Sequence, residues 1–198
     1  AQLGFRIDPE TEQAVPLRLE VARSVAVERV RAELDKLLLG MAASEGLQAL
    51  LRTGLLDLWL GELRPMVGCV QGPPHRWDVW HHSLVLLEHL PPELGLRWAG
   101  LLHDAGKPHR RAVGADGRIR FWGHELVSLE IAQTIFQRLK APKALVARVQ
   151  ALIRHHGLHP DETWSLGACR RLLARLAEAE LPLADWATFR RADRWAKG

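Results

Sequence analysis

No tyrosine occurs in this 198-residue chain, which holds only two cysteines, two methionines and four phenylalanines. Its large aromatics are instead concentrated in eight tryptophans, so several of these must anchor helix packing. Cys69 and Cys169 stand far apart without Cys-x-x-Cys spacing. That argues against a disulfide framework or a zinc ribbon and fits a reducing compartment, with the cytoplasm as the expected location. No apolar run approaches the roughly 20 residues that span a bilayer, and no basic-then-apolar signal segment opens the sequence, so neither membrane insertion nor export is expected. No stretch repeats at a period of about 20 to 50 residues. Charge of one sign is also scarce: the net value is +4 with neutral histidines, which suits anionic ligands such as nucleotides or RNA without requiring them. The opening at Ala1, inside what reads as a continuing element, is taken as that of a fragment or processed chain.

What remains, 47% hydrophobic and 25% charged residues, is enough for a buried core. Apolar residues recur at three- to four-residue steps from Leu17 to Leu39, predicting one amphipathic helix that Gly40 ends. Shorter helices are expected over Ser44–Arg52 and Gly54–Leu63. The stretch 67–77, with two glycines and two prolines, reads as a linker loop. Asp78 caps a helix running to Leu90, and another covers Leu94–Ala105. Arg110–Phe121 reads as an exposed loop or small hairpin. Helices over Glu125–Leu139, Pro142–His156, Ser165–Glu178 and Ala184–Ala196 complete an all-α fold.

Of ten histidines, those at His81-His82, His103, His124 and His155-His156 fall at the beginnings or ends of predicted helices. In the string Leu101-Leu102-His103-Asp104-Ala105-Gly106-Lys107, two ionisable residues directly follow an apolar helix. A buried aspartate there needs a strong partner. His103 and Asp104 diverge by ~100° and both reach one ion only at the helix edge, so other helices must supply further donors. His82 and Asp193 are the natural candidates. Two imidazoles with two carboxylates suit a divalent cation, which acidifies water and neutralises phosphoryl charge.

Four strings, Asp78-Val79-Trp80-His81-His82-Ser83-Leu84, the His103-Asp104 string, Phe121-Trp122-Gly123-His124-Glu125 and Arg191-Ala192-Asp193, resemble in order and spacing the motifs of HD-domain metal-dependent phosphohydrolases. The resemblance implies that His82, His103, Asp104 and Asp193 are metal ligands. His82 is preferred to His81 because it precedes a small hydroxyl residue, as the family's histidine does. It further implies a phosphate-contacting role for Lys107, the histidine of a Gly-His-Glu element in His124, and a second metal or substrate position involving His124, His155 and His156. The implied cofactor is a divalent metal: manganese, cobalt, nickel or magnesium.

Residues 3–14 followed by 27–38 resemble the neck of class II tRNA nucleotidyltransferases, the CCA-adding and poly(A) polymerase family. That family's catalytic head elements are not found in this sequence, so nucleotide addition is not expected from this chain alone. The implied organisation is a helical neck and body over 1–66, a linker over 67–77 and an HD domain over 78–198. Glu28, Arg29, Arg31 and Glu33 form either a solvated, ion-paired helix face or a surface toward tRNA or the head. His109, Arg110 and Arg111, with Arg118 and Arg120 beyond, form a basic collar that draws phosphates or a solvated loop. Arg170, Arg171 and Arg175 recur on one helix face, where they either extend that surface or serve solubility. Trp80 and Trp122 flank proposed ligands, where they either pack or stack on a base. Two functions lead, ahead of a nucleotide-pool hydrolase acting on dNTPs or alarmones, against which the neck resemblance counts. One is a metal-dependent hydrolase of phosphomonoesters or cyclic phosphodiesters on nucleotides or RNA ends, tied to tRNA 3′-end processing. The other is a tRNA-binding body without catalysis of its own.

Overall fold

The computed structural model describes residues 6–73, 75–158, 160–161 and 163–198. The opening of the neck-like motif, residues 3–5, and His159 lie outside the described residues. The fold is all-α apart from one two-stranded hairpin.

The first helix among the described residues is α1 (Pro9–Ala14), whose first amides are capped by the Asp8 carboxylate. The single helix expected from Leu17 to Leu39 is instead broken. A 3-10 turn and α2 (Leu19–Arg23) come first, and α3 (Val27–Leu39) follows. Ser24 is the reason: its hydroxyl and its amide both bond the Val21 carbonyl, so the chain turns out of the helix there. Leu17 and Val21 are exposed, whereas Leu34 and Leu38 of α3 are buried. Next come α4 (Ala43–Arg52) and α5 (Leu55–Trp59), and a 3-10 turn over Gly61–Met66 replaces the second half of the predicted Gly54–Leu63 helix.

The second part contains α6 (Val79–His89), α7 (Leu94–Leu102), α8 (Lys107–Arg110), α9 (His124–Arg138), α10 (Lys143–His155), α11 (Leu166–Glu178) and α12 (Leu183–Trp195). Asp78 and Ser165 cap α6 and α11 as expected. Between α8 and α9, β1 (Ala112–Val113) pairs antiparallel with β2 (Ile119–Arg120), with Ala112 opposite Arg120. The expected loop is thus a small hairpin. No helix among the described residues is long and apolar enough to cross a membrane.

One hydrophobic core runs through both parts, from Leu34, Leu47 and Leu63 through Trp80, Trp98 and Leu101 to Ile135, Leu152 and Phe189. Burying each such leucine contributes roughly 2 kcal/mol. Polar ties reinforce the junction. Buried Arg97 of α7 donates to the Leu38 carbonyl at the end of α3, and the Trp98 indole N–H donates to Asp35 at 2.7 Å. Glu28 pairs with Lys140 just past α9, and Arg31 donates to the Lys140 carbonyl. Part of the charged face of the neck helix is therefore spent within the chain.

Among the described residues of the stretch 67–77 there is no helix or strand, yet two of its side chains are anchored. Cys69 and Gln71 are buried, and the Val79 amide donates to the Cys69 carbonyl.

Candidate metal centre

Three helix ends and one helix interior converge on the buried pair His103 and Asp104, in the turn that follows α7. Gly106 lets that turn lie against α9: a Cβ there would sit 2.1 Å from the His124 carbonyl oxygen, and the Gly106 N–H donates to Ser128 Oγ at 2.8 Å. His124 is thereby carried up to Asp104. On α6, consecutive side chains diverge by ~100°, so the capping Asp78 holds exposed His81 outward at 2.8 Å while His82 turns fully inward. The preference for His82 over His81 agrees with this geometry. Asp193 comes from α12 and His156 from the C-terminal end of α10, and both are buried.

The donor atoms face one another closely. Asp193 Oδ1 lies 3.1 Å from His82 Nε2 and 3.7 Å from His103 Nε2. Asp104 Oδ2 lies 3.1 Å from His103 Nε2 and 3.6 Å from His82 Nε2. Its other oxygen, Oδ1, lies 3.2 Å from His124 Nε2 and 3.6 Å from His156 Nε2.

All four imidazoles are held in one way. Nδ1 of His82 meets the Ala196 carbonyl at 3.2 Å, that of His103 the Gly100 carbonyl at 3.0 Å, that of His124 the Phe121 carbonyl at 2.8 Å and that of His156 the Ile153 carbonyl at 2.6 Å. A carbonyl only accepts, so each Nδ1 donates its proton there, which leaves Nε2 as the atom that can turn a lone pair on an ion once any proton it carries toward the carboxylates is displaced. This backbone bracing of the far ring nitrogen is the habit of metal-binding histidines.

The residues fit a divalent ion. His103 Nε2 and Asp104 Oδ1 are buried and make no hydrogen bond, although other polar atoms lie close by: they converge without being aligned. The donor atoms of His82, His103 and Asp193 lie within 4.8 Å of one another, as do those of His103, Asp104 and His156, so two groups could each hold an ion and His103 belongs to both.

Electrostatics agrees. Burial alone would raise both carboxyl pKa values, but His103 beside each, with Lys107 next to Asp104 and His82 next to Asp193, holds both well below the usual carboxylate range. Burial also opposes charge on His103, yet Asp104 and Asp193 overcome it and lift its pKa to about 9. Two buried carboxylates demand a positive charge between them, and a proton or a metal ion answers that demand. Burial keeps His156 neutral, the form a ligand needs.

Lys107 is buried, with Nζ 2.6 Å from Asp104 Oδ2 and 2.6 Å from Gln71 Oε1. The Gln71 amide in turn donates to the Trp77 carbonyl at 3.3 Å, so the stretch read as a linker is strapped to the centre. His75 lies on the same strap with its ring edge-on to His82, and burial together with nearby Lys107 lowers its pKa to about 4. Arg190 donates to Asp193 Oδ2 at 2.5 Å. Sequence reasoning missed these three residues. For Gln71 a signal existed, since it is the one side-chain amide in a run of small and apolar residues.

Other expected residues stand apart. His155 is half-buried beside Arg154 and Arg175 and does not join His156 in the centre. Consecutive helical side chains point ~100° apart, which turns His155 away from the side that His156 presents. His109, Arg110 and Arg111 are exposed just beyond Lys107, and Arg170, Arg171 and Arg175 are exposed on α11. Trp80 is wholly buried in the core, whereas Trp122 is exposed.

Comparison with known proteins accords with this geometry. A profile described as the HD domain matches residues 75–194, and one described as a probable RNA- and SrmB-binding site of polymerase A matches residues 4–66. The chain is 43% identical over 165 residues to an A-adding tRNA nucleotidyltransferase of Deinococcus radiodurans, covering 78% of this chain and 38% of the relative. It is 38% identical over 208 residues to a CC-adding tRNA nucleotidyltransferase of Thermus thermophilus, covering 99% of this chain and 46% of the relative. A multifunctional CCA protein of Verminephrobacter eiseniae is 31% identical over 188 residues, covering 90% of this chain and 44% of the relative. The chain thus spans less than half the length of these relatives. With the HD match extending over most of its length and reaching His82, His103, Asp104 and Asp193, the chain belongs to the HD-domain family, and the segment before that domain is similar to the probable RNA- and SrmB-binding site of polymerase A.

Proposed function

We propose that this chain is a divalent-metal-dependent phosphohydrolase acting on phosphomonoesters or cyclic phosphodiesters of nucleotides or RNA ends, within tRNA 3′-end processing in the cytoplasm. One observation carries the reading: four imidazoles, each braced through Nδ1 by a backbone carbonyl, present Nε2 to two buried carboxylates. His82, His103, Asp104 and Asp193 would hold the ion, and His124 and His156 would complete a second position on Asp104 Oδ1. Mixed nitrogen and oxygen donors suit manganese, cobalt or nickel better than magnesium. Bound there, such an ion supplies Lewis acidity toward water and phosphoryl oxygens. Lys107 adds a fixed ammonium for negative charge on the transferred group, and Gln71 keeps it in place. His109, Arg110 and Arg111, exposed beyond it, raise the local concentration of phosphates. The division of labour that we propose is an RNA-facing neck and body over 1–66 and the hydrolytic centre in 78–198, joined by 67–77.

The test is hydrolysis of a 2′,3′-cyclic nucleotide, a 2′-nucleotide and an aryl phosphate by chelator-treated protein reloaded with Mn, Co, Ni or Mg, alongside His103→Ala. Turnover lost in the variant and with chelator is expected; turnover that survives both overturns the reading.

A second reading rests on the match over residues 4–66 and on the tRNA nucleotidyltransferase relatives. In it the chain is a tRNA-holding body without hydrolysis of its own. Its mark is RNA affinity that falls steeply with salt, with no turnover under any metal.

A further inference from the structure

Trp80, Trp98 and Trp186 are buried, whereas Trp77, Trp195 and Trp122 are exposed; of these Trp122 is the most open, at 78%, and stands two residues before His124. A tryptophan normally buries its large apolar area, so an indole left open beside a polar centre calls for a reason. The hairpin before it is built around that ring. The Arg120 guanidinium lies over the indole, 5.6 Å from its centroid. Asp116 fixes the guanidinium with two bonds of 2.8 and 2.7 Å. Gly114 leaves room for this arrangement, since a Cβ there would sit 1.8 Å from Arg120 Nη1. Arg120 is thus immobilised as a planar backing, with its positive charge behind the ring.

The platform is tied to the centre on both sides. Phe121, the preceding residue, has Lys107 Nζ 5.5 Å from its ring centroid, and its carbonyl braces His124. The hairpin also meets the strap over the centre, because a Cβ on Gly72 would touch Ile119 at 3.6 Å.

We infer that Trp122, backed by Arg120, is a nucleobase-stacking platform at the rim of the centre, so that the site takes a phosphate carried on a nucleoside in preference to one without a base. This rests on the phosphohydrolase reading above and gives its substrate class. Every base has a π-face, so such a platform selects for a base without selecting which one.

The test is calorimetric titration of the full chain with adenosine 3′-monophosphate and with ribose 5-phosphate, in magnesium buffer, for the parent protein, Trp122→Leu and Trp122→Phe. The ring is exposed, so neither change disturbs the core, and thermal melting verifies this. Trp122→Leu weakens adenylate binding by roughly five- to 150-fold, as loss of one base–aromatic stack does. Trp122→Phe retains most of the affinity, and ribose 5-phosphate binds all three alike. Equal adenylate affinity in the parent and Trp122→Leu, or an equal loss for ribose 5-phosphate, overturns the inference. Hydrolysis of 2′,3′-cyclic AMP, of a 2′-nucleotide and of β-glycerophosphate, followed in parallel with Mn, Co, Ni or Mg, separates it from the reading beneath it. Trp122-dependent adenylate binding without hydrolysis of any ester leaves the platform standing and removes the hydrolase. Hydrolysis with Trp122-independent binding does the reverse.

Discussion

The ammonium of Lys107 lies 2.6 Å from Oδ2 of Asp104, the oxygen that His103 Nε2 also approaches, at 3.1 Å. One carboxylate oxygen therefore serves an internal cation and the imidazole cage together, while the other faces His124 and His156. Asp104→Asn keeps the shape and removes the charge. Calorimetry should show metal affinity falling by more than the roughly 100-fold that outer-shell changes cause. The apo variant should also lose about 3–5 kcal/mol in urea unfolding, because Lys107 is left buried without its anion.

Gln71 is expected to matter through Lys107 alone. Gln71→Ala removes a hydrogen bond to a charged group and should cost about 2 kcal/mol of stability. It should lower kcat on a phosphate ester while leaving metal affinity within a few-fold, and Gln71→Glu, which restores an acceptor, should recover part of that rate. Metal affinity and kcat collapsing together would show that Gln71 shapes the ligand cage itself.

In the metal-free protein, His103 controls a defined pH window. Its pKa is raised from 6.5 to about 9, so the native state keeps a proton that the unfolded state releases. That contribution is complete below about pH 6.5 and is lost as pH rises through about 9. Unfolding free energy should therefore fall across this interval. His75 and His156, whose pKa values are lowered, and the depressed carboxylates titrate below it. His103→Gln should flatten the slope. Metal affinity should climb over the same interval, since the ion displaces that proton.

Gly106→Ala should be among the most damaging conservative changes. The added methyl meets the His124 carbonyl at 2.1 Å, and backbone cannot step aside as a long side chain can. A loss of about 3 kcal/mol or more is expected by thermal unfolding, the upper end for overpacking. Asp104 and His124 should separate, which metal stoichiometry would report.

Much of this centre was legible because its donors follow helix-end signals. His82 was preferred to His81 only through the resemblance, by the small hydroxyl residue that follows it, while the His103-Asp104 string announced itself by following an apolar helix; Asp78 was legible as a cap. Spacing cannot convey what distant backbone does. The bracing of His82 by Ala196 spans 114 positions, and the reach of Gln71 to Lys107 depends on how a stretch without regular structure folds back. The broken helix at Ser24 was hidden for the opposite reason. Apolar periodicity continues through Leu17, Val21 and Val25 even though those side chains face solvent, so the pattern carried no sign of the local hydroxyl bond that wins. Trp80 and Trp122 look alike in sequence and differ only in what surrounds them.

The braces on the histidines divide by origin. His103, His124 and His156 each lean on the carbonyl three residues earlier, at Gly100, Phe121 and Ile153. Their aim is thus inherited from their own segment, and the surrounding core can drift in composition without retargeting them. His82 alone borrows its brace from the far end of the chain, where Lys197 also sits 3.7 Å from Asp193. The turn at Ala196 therefore works as a latch on the first ligand: opening that turn would unbrace His82 and leave the braces of the other three imidazoles in place.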